Sequence, residues 1–185
     1  FKVFKNIRIT NLPDMTVLLC ANGTGKSTLF DVFGFLQDSL TDNVKAALLK
    51  RGGYKEVISR NEKGPIEIEI KFRPEPDEPL VTYELHIGLD DRGFPIVTRE
   101  RLKYRRGQKG KPWHFLDFSN GSGTAIINES EYGLEGVEEQ REEQKLDSPD
   151  ILAIKGLGQF QKFKQVTASK SYWGIEQITR IQKEG

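Results

Sequence analysis

The chain has 185 residues, with 28 Lys and Arg against 27 Asp and Glu, a formal net charge of +1, and 36% hydrophobic and 30% charged residues. That balance describes an ordinary folded protein with enough chain for a real core, in one domain or one domain with an inserted subdomain. No run approaches the ~18–20 apolar residues of a membrane helix, and no signal-peptide pattern opens the chain. The single cysteine cannot make an internal disulfide and fits a reducing cytoplasm, and His86, His114 and Cys20 form no recognisable metal cluster.

"FKVFKNIRI" alternates well enough to predict a first strand, with Val3, Ile7 and Ile9 on one face. Asn11-Leu12-Pro13-Asp14 is turn chemistry, and Thr16–Cys20 then reads as a short apolar strand buried on both faces. The stretch "CANGTGKST" follows. Gly25, Lys26 and Ser27 fill the second half of the phosphate-loop pattern G-x-x-x-x-G-K-[ST], while Cys20 holds the position of its first glycine. In such a loop the backbone N–H groups of Asn22, Gly23, Thr24, Gly25 and Lys26 curl around a polyphosphate, helped by the positive end of the following helix. Lys26 reaches the β- and γ-phosphates, the Ser27 hydroxyl binds Mg²⁺, and Thr28 completes the motif. Cysteine is small, so the loop survives Cys20 at negative φ and distorts if φ must be positive; weaker binding than in a glycine version is the expectation.

Leu29, Phe30, Val32, Phe33, Phe35, Leu36 and Leu40 recur at helical spacing around most of the circumference, predicting a helix covered on several sides. A second helix is expected through "TDNVKAALLKR", with Thr41 or Asp42 as N-cap and Gly52-Gly53 stopping it. The period then changes to two. Ile66, Ile68, Ile70 and Phe72 alternate with Glu67, Glu69, Lys71 and Arg73, and Val81, Tyr83, Leu85, Ile87 and Leu89 alternate likewise. "DDRG" turns this strand into "FPIVTRERLKYRR", and "KPWHFLDF" and "GTAIINE" form another hairpin turning near Asn120-Gly121, giving an antiparallel meander. Residues 129–147 are rich in acids and poor in large apolar residues, the composition of a solvated connector. "SPDILAIKGLGQFQKF" resumes apolar periodicity, with Ser148 as N-cap, Pro149 at the first helical position, and Ile151, Leu152 and Ile154 toward a core.

"IRITNLPDMTVLLCANGTGKSTLFDVFGFL" resembles the opening of ABC-type ATPases of the RecF/SMC group, including the RecF/OLD-like AAA-family ATPases of bacteria. Asn22 with the paired Gly23 and Gly25 matches that subgroup better than kinases or GTPases, and a β-subdomain after the phosphate-loop helix is its layout. The resemblance implies an α/β P-loop fold of ABC type, with a mixed core sheet plus an antiparallel β-subdomain. It divides the chain into a strand–loop–helix core (1–60), the β-subdomain (61–128), the acidic connector (129–147) and a helical segment opening a second lobe (148–185). ATP and Mg²⁺ are the implied cofactors, and Gln159 (or Gln161) is a candidate for the glutamine that touches Mg²⁺, against the simpler reading of a helix-surface residue. A Walker B strand ending in Asp-Glu and an L-S-G-G-Q-like signature are missing from the sequence, and Asp117 in "WHFLDF" lacks both the apolar run and the glutamate.

The expectation is therefore an ATP–Mg²⁺-binding N-terminal lobe, inactive alone. Hydrolysis belongs to a complete, head-to-tail homodimeric form in the cytoplasm, with DNA maintenance or phage defence as its setting and a partner nuclease conceivable. The alternative is a nucleotide-binding or structural module without turnover; a small-molecule kinase is third. A separate question attaches to Arg99, Arg101, Lys103 and Arg105, which alternation places on one strand face. They form either a track for DNA phosphates or a cross-strand charge ladder with Glu67, Glu69 and Glu84, and the ladder is the preferred reading.

Overall fold

A computed structural model describes residues 1–10, 25–59, 62–72, 80–104, 113–126 and 140–157. Three helices come first: α1 (Lys26–Thr41), α2 (Val44–Leu49) and the single turn α3 (Tyr54–Val57). Six strands follow: β1 (Ile66–Phe72), β2 (Val81–Leu89), β3 (Pro95–Tyr104), β4 (Trp113–Ser119), β5 (Ser122–Ile126) and β6 (Arg141–Lys145). A short helix, α4 (Ala153–Leu157), closes the described chain. The strands form one sheet in sequence order, and every neighbouring pair is antiparallel.

This corrects the expected fold class. Among the described residues there is no mixed or parallel sheet of the ABC type; the antiparallel meander is the whole sheet, and the helices pack against it. The physical reason lies in the connections. A parallel neighbour needs a crossover of a dozen or more residues, whereas β2–β3 and β4–β5 are joined by tight turns that only antiparallel strands accept. The first of the two strands that would have built a parallel core is not in it. Residues 1–10 are irregular, with Val3 62%, Ile7 50% and Ile9 40% exposed where a strand would bury them. Thr16–Cys20 lies outside the described residues. Helix α1 is correspondingly covered on one side rather than several: Phe35 and Leu36 are buried, but Phe30 is exposed and Val32 and Phe33 are half-buried.

The strand periodicity translates directly into packing. In β1 and β2, Ile66, Ile68, Tyr83, Leu85 and Ile87 point into the core while Glu67 and Glu69 are exposed. They meet Phe35, Val44, Leu48 and Val57 of the helices in one hydrophobic cluster, so the helices and the sheet share a single core. Two bulges adjust the alternation. Opposite His86 and Ile87 the register passes from Arg99 to Val97, leaving Thr98 as the extra residue; opposite Leu102 and Lys103 it passes from Leu116 to His114, leaving Phe115. The first bulge turns both Val97 and Glu100 inward, and the second allows Phe115 and Leu116 to be buried side by side.

The turns have local causes. Asp90 Oδ1 accepts hydrogen bonds from the N–H groups of Arg92 (2.9 Å) and Phe94 (2.8 Å), closing the β2–β3 hairpin. Asn120 (φ 52°) and Gly121 (φ 81°) supply the paired positive φ angles that a two-residue hairpin favours, as the sequence predicted. Helix α2 is capped by Asn43, whose Oδ1 accepts from the Ala46 N–H at 2.7 Å, one residue later than the expected Asp42. Gly52 and Gly53, at φ 88° and 97°, end that region as expected.

Two segments depart from their sequence reading. Arg141–Lys145, within the span read as connector, is an edge strand paired with β5. Ser148 caps no helix; it bonds to the Asp150 carboxylate, and α4 starts only at Ala153. Between these, residues 146–150 strap the sheet to the helices. Leu146 N–H donates to the Gly121 carbonyl (2.8 Å), Val97 N–H to the Pro149 carbonyl (2.8 Å), and Val44 N–H to the Asp150 carbonyl (2.9 Å). Lys155 Nζ donates to the Thr41 and Asp42 carbonyls, both at 2.6 Å, and so caps the C-terminus of α1.

Candidate phosphate-binding site

Helix α1 runs for 16 residues, long enough for its aligned peptide dipoles to give its N-terminus a substantial partial positive charge. Gly25 stands at its N-cap with φ 100° and ψ 11°, and its carbonyl accepts the Leu29 N–H at 3.0 Å. Glycine is required there twice over. The left-handed φ penalises any Cβ, and a Cβ would lie 2.6 Å from Cε1 of Phe4. Glycine also has no side chain with which to cap the helix, and no acid occupies the first turn. Lys26 is half-buried, Ser27 is exposed and Thr28 is buried. The structure thus brings Gly25, Lys26, Ser27 and Thr28 together at one helix end. Cys20, Asn22, Gly23 and Thr24 lie outside the described residues, as do Gln159 and Gln161.

A charge cluster braces this helix end. Asp31, on the second turn of α1, receives Lys2 Nζ at 2.5 Å and Arg51 Nε at 2.8 Å, and Arg51 Nη1 also reaches Asp38 at 2.7 Å. The Arg51 side chain is only 10% exposed, and its guanidinium lies over the Phe35 ring, 5.6 Å from the centroid. Burial pushes the Asp38 carboxyl up, but hydrogen bonds from Lys50 and Arg51 outweigh it and hold the group below its ordinary value. None of these charged residues was singled out by sequence reasoning, because the pairings link α1, the turn after α2 and the N-terminal segment.

The basic strand forms a ladder. Arg101 on β3 sits directly across from Glu84 on β2 and Asp117 on β4, at 3.8 and 3.2 Å. Lys103 bonds to Glu84, and Arg99 reaches Asp117 at 3.4 Å. Glu84 was among the expected partners, whereas Glu69 pairs with Lys71 at 2.9 Å and Asp117 was not foreseen in this role. Arg105 lies outside the described residues. Each described cation of the strand therefore faces a carboxylate, the arrangement of a ladder across the sheet.

The residue that sequence reasoning missed is Glu100, fully buried on β3. Its Oε2 accepts the Ala153 N–H at 2.5 Å, and its Oε1 accepts the Ile154 N–H at 3.1 Å and the Tyr83 hydroxyl at 3.0 Å. It thereby serves as the cap of α4 from across the core. Burial raises its carboxyl from the ordinary 4.5 to about 7, and the three donated hydrogen bonds oppose that rise without cancelling it. Burial, and then the neighbouring Glu100 charge, drive the Tyr83 hydroxyl well above its ordinary value. The signal was available: if Arg99, Arg101 and Lys103 face outward, Glu100 and Leu102 must face inward. Among the described residues no cluster of His, Cys, Asp and Glu could hold a metal, and no helix is long and apolar enough to cross a membrane. No protein-family model matches the chain, and neither a characterised protein nor a solved structure is significantly similar to it.

Proposed function

We propose that the segment from Cys20 to Thr28 binds the phosphates of ATP with Mg²⁺, and that this chain alone does not turn the nucleotide over. One observation carries the reading. The Gly25-Lys26-Ser27 half of the loop motif coincides with the N-cap and first turn of a long helix, with Gly25 in the left-handed conformation and no acid in that first turn. Lys26 then neutralises the β- and γ-phosphates, and the exposed Ser27 hydroxyl ligates Mg²⁺. The RecF/SMC resemblance enters through this loop alone, since the antiparallel sheet gives it no further support. Hydrolysis, in this proposal, requires carboxylates supplied by a longer or dimerised form, acting in the cytoplasm where ATP is abundant. The charge ladder favours a structural role for the basic strand, so nucleic acid is not part of the reading.

Calorimetric titration of Mg–ATP into the intact chain and into Lys26→Ala tests it. Saturable binding that weakens by ~10-fold or more in the variant is expected, corresponding to the loss of one charge-assisted contact. Absence of binding to the unaltered chain, or equal affinity in both, overturns the proposal.

A further inference from the structure

Glu100 joins parts of the fold that are held with very different firmness. On the core face of the sheet its cross-strand neighbours are Leu85 of β2 and Phe118 of β4, both buried and apolar. Tyr83 is the titratable side chain that β2 turns toward it. The charged groups of the other neighbouring elements are engaged elsewhere. Lys45 of α2, a helix that also packs on β3, lies over the Phe94 ring; Asp150 of the strap bonds to Ser148; Lys155 of α4 bonds to the Thr41 and Asp42 carbonyls. Among the described residues no cation pairs with Glu100, so an ionised carboxylate would be met in the core only by neutral donors.

Of the elements around Glu100, α4 is the one that can leave without dismantling the rest. The six strands bond to one another in sequence order, so no ladder hydrogen bond passes through it. The chain is anchored as far as Asp150, where the Pro149 and Asp150 carbonyls hold the Val97 and Val44 N–H groups. Beyond that point, the buried Leu152, Ala153 and Ile154, the Lys155 contacts and the two amide bonds to Glu100 fasten the segment. A helix of five residues has no stability of its own in water, so it persists only while docked. A hinge after Asp150 would open the Glu100 site to water and leave the sheet and the first three helices standing.

Proton linkage gives this opening a direction. Docked, the buried carboxyl keeps its proton up to about 7; in water it ionises near the ordinary 4.5. Opening therefore releases a proton between these values and becomes easier with each step of rising pH, until the docked carboxyl ionises as well.

We propose that Glu100 is a proton-operated latch: residues 151–157 stay docked while its carboxyl is protonated and are released as it ionises, with α1–α3 and the six strands remaining folded. Release frees the end of the described chain and uncaps the C-terminus of α1. The latch is local, and it does not depend on the phosphate site.

Hydrogen exchange resolved by residue, measured by NMR on the intact chain from pH ~4 to ~8, tests the latch. Corrected for the intrinsic pH dependence of exchange, protection at Ala153 and Ile154 is expected to fall by up to ~300-fold between pH 4.5 and 7 and then to level off. The Leu85 amide in β2 stays at least ~10-fold better protected throughout, because it opens only with the sheet. Glu100→Gln, which cannot ionise, removes the slope. Tyr83→Phe leaves the carboxyl in place but withdraws a donor that favours its ionised form, so the levelling moves to higher pH. Protection at Ala153 and Ile154 that does not vary with pH overturns the proposal. So does protection there equal to that of Leu85, a slope that survives in Glu100→Gln, or a levelling point unmoved in Tyr83→Phe.

Discussion

Two helix N-termini in this protein are served in opposite ways. At α4, the fully buried Glu100 carboxyl reaches across from β3 and accepts the N–H groups of Ala153 and Ile154, so that helix end has its acceptor built in. At α1, the N-cap is a glycine and the first turn holds no acid. Both ends have backbone N–H groups in need of acceptors. The difference teaches that the fold meets this need with a distant side chain at α4, whereas at α1 the N-cap residue has no side chain with which to do so. Length sharpens the contrast, since α1 has 16 residues and α4 has five, yet it is the shorter helix that receives a side-chain carboxyl.

The most damaging way to break this comparison is to empty the occupied end. Glu100→Ala strands two backbone donors and the Tyr83 hydroxyl in the core and is expected to lower stability by ~3–5 kcal/mol. Urea denaturation followed by circular dichroism measures it; a loss below ~1 kcal/mol would mean that the α4 end relaxes or finds water.

Proton binding tests the same carboxylate without removing it. Its folded-state value of about 7 exceeds the ordinary 4.5, so between these limits the folded chain retains a proton that the unfolded chain has lost. Glu100's contribution is therefore fully present below pH 4.5 and is lost as pH rises through 7, a decline of at most about 3 kcal/mol. Asp38 works in the other direction, its depressed value lending stability that disappears as pH falls. The difference between the unaltered chain and Glu100→Gln isolates the Glu100 part: it should slope between pH 4.5 and 7 and be flat above. A difference that does not vary with pH would show that Glu100 ionises normally.

The glycine-capped end responds more mildly. Gly25→Ala combines a left-handed φ of 100° with an approach of 2.6 Å to a movable Phe4 ring. The expected cost is ~1–3 kcal/mol, read as a lower melting temperature. An unchanged melting temperature would indicate that Gly25 is not held in this conformation and would take with it the main support for an anion site at α1.

What was legible in the sequence was whatever depends on near neighbours. The alternation in β1 and β2, the Asn120-Gly121 turn and the Gly52-Gly53 stop all follow from a few consecutive residues. So does the Gly25-Lys26-Ser27 helix start. The N-terminal stretch misled because alternation of Val3, Ile7 and Ile9 does not by itself supply a partner strand, and the described residues 1–10 join neither outer strand of the sheet. Arg141–Lys145 failed in the opposite sense. It has no apolar alternation and becomes a strand through its ladder with β5. Glu100's inward face could be read from the alternation, but its partners could not, because they lie far away in sequence, on β2 and α4. The Asp117–Arg101 pairing needed the β3–β4 register, which the second bulge displaces.

The Lys155 cap on α1 has a consequence for the order in which the chain can fold. The carbonyls of Thr41 and Asp42 that accept it lie 114 and 113 residues earlier in the sequence. During synthesis the helices emerge first but lack this closure, whereas each strand from β2 to β5 meets its predecessor as soon as it appears. The sheet can therefore grow one hairpin at a time from contacts that are close in sequence, at low loop-closure entropy. The α1 end must wait until the strap at 146–155 has been made. Helices translated before the sheet are, by this geometry, among the last parts to be locked.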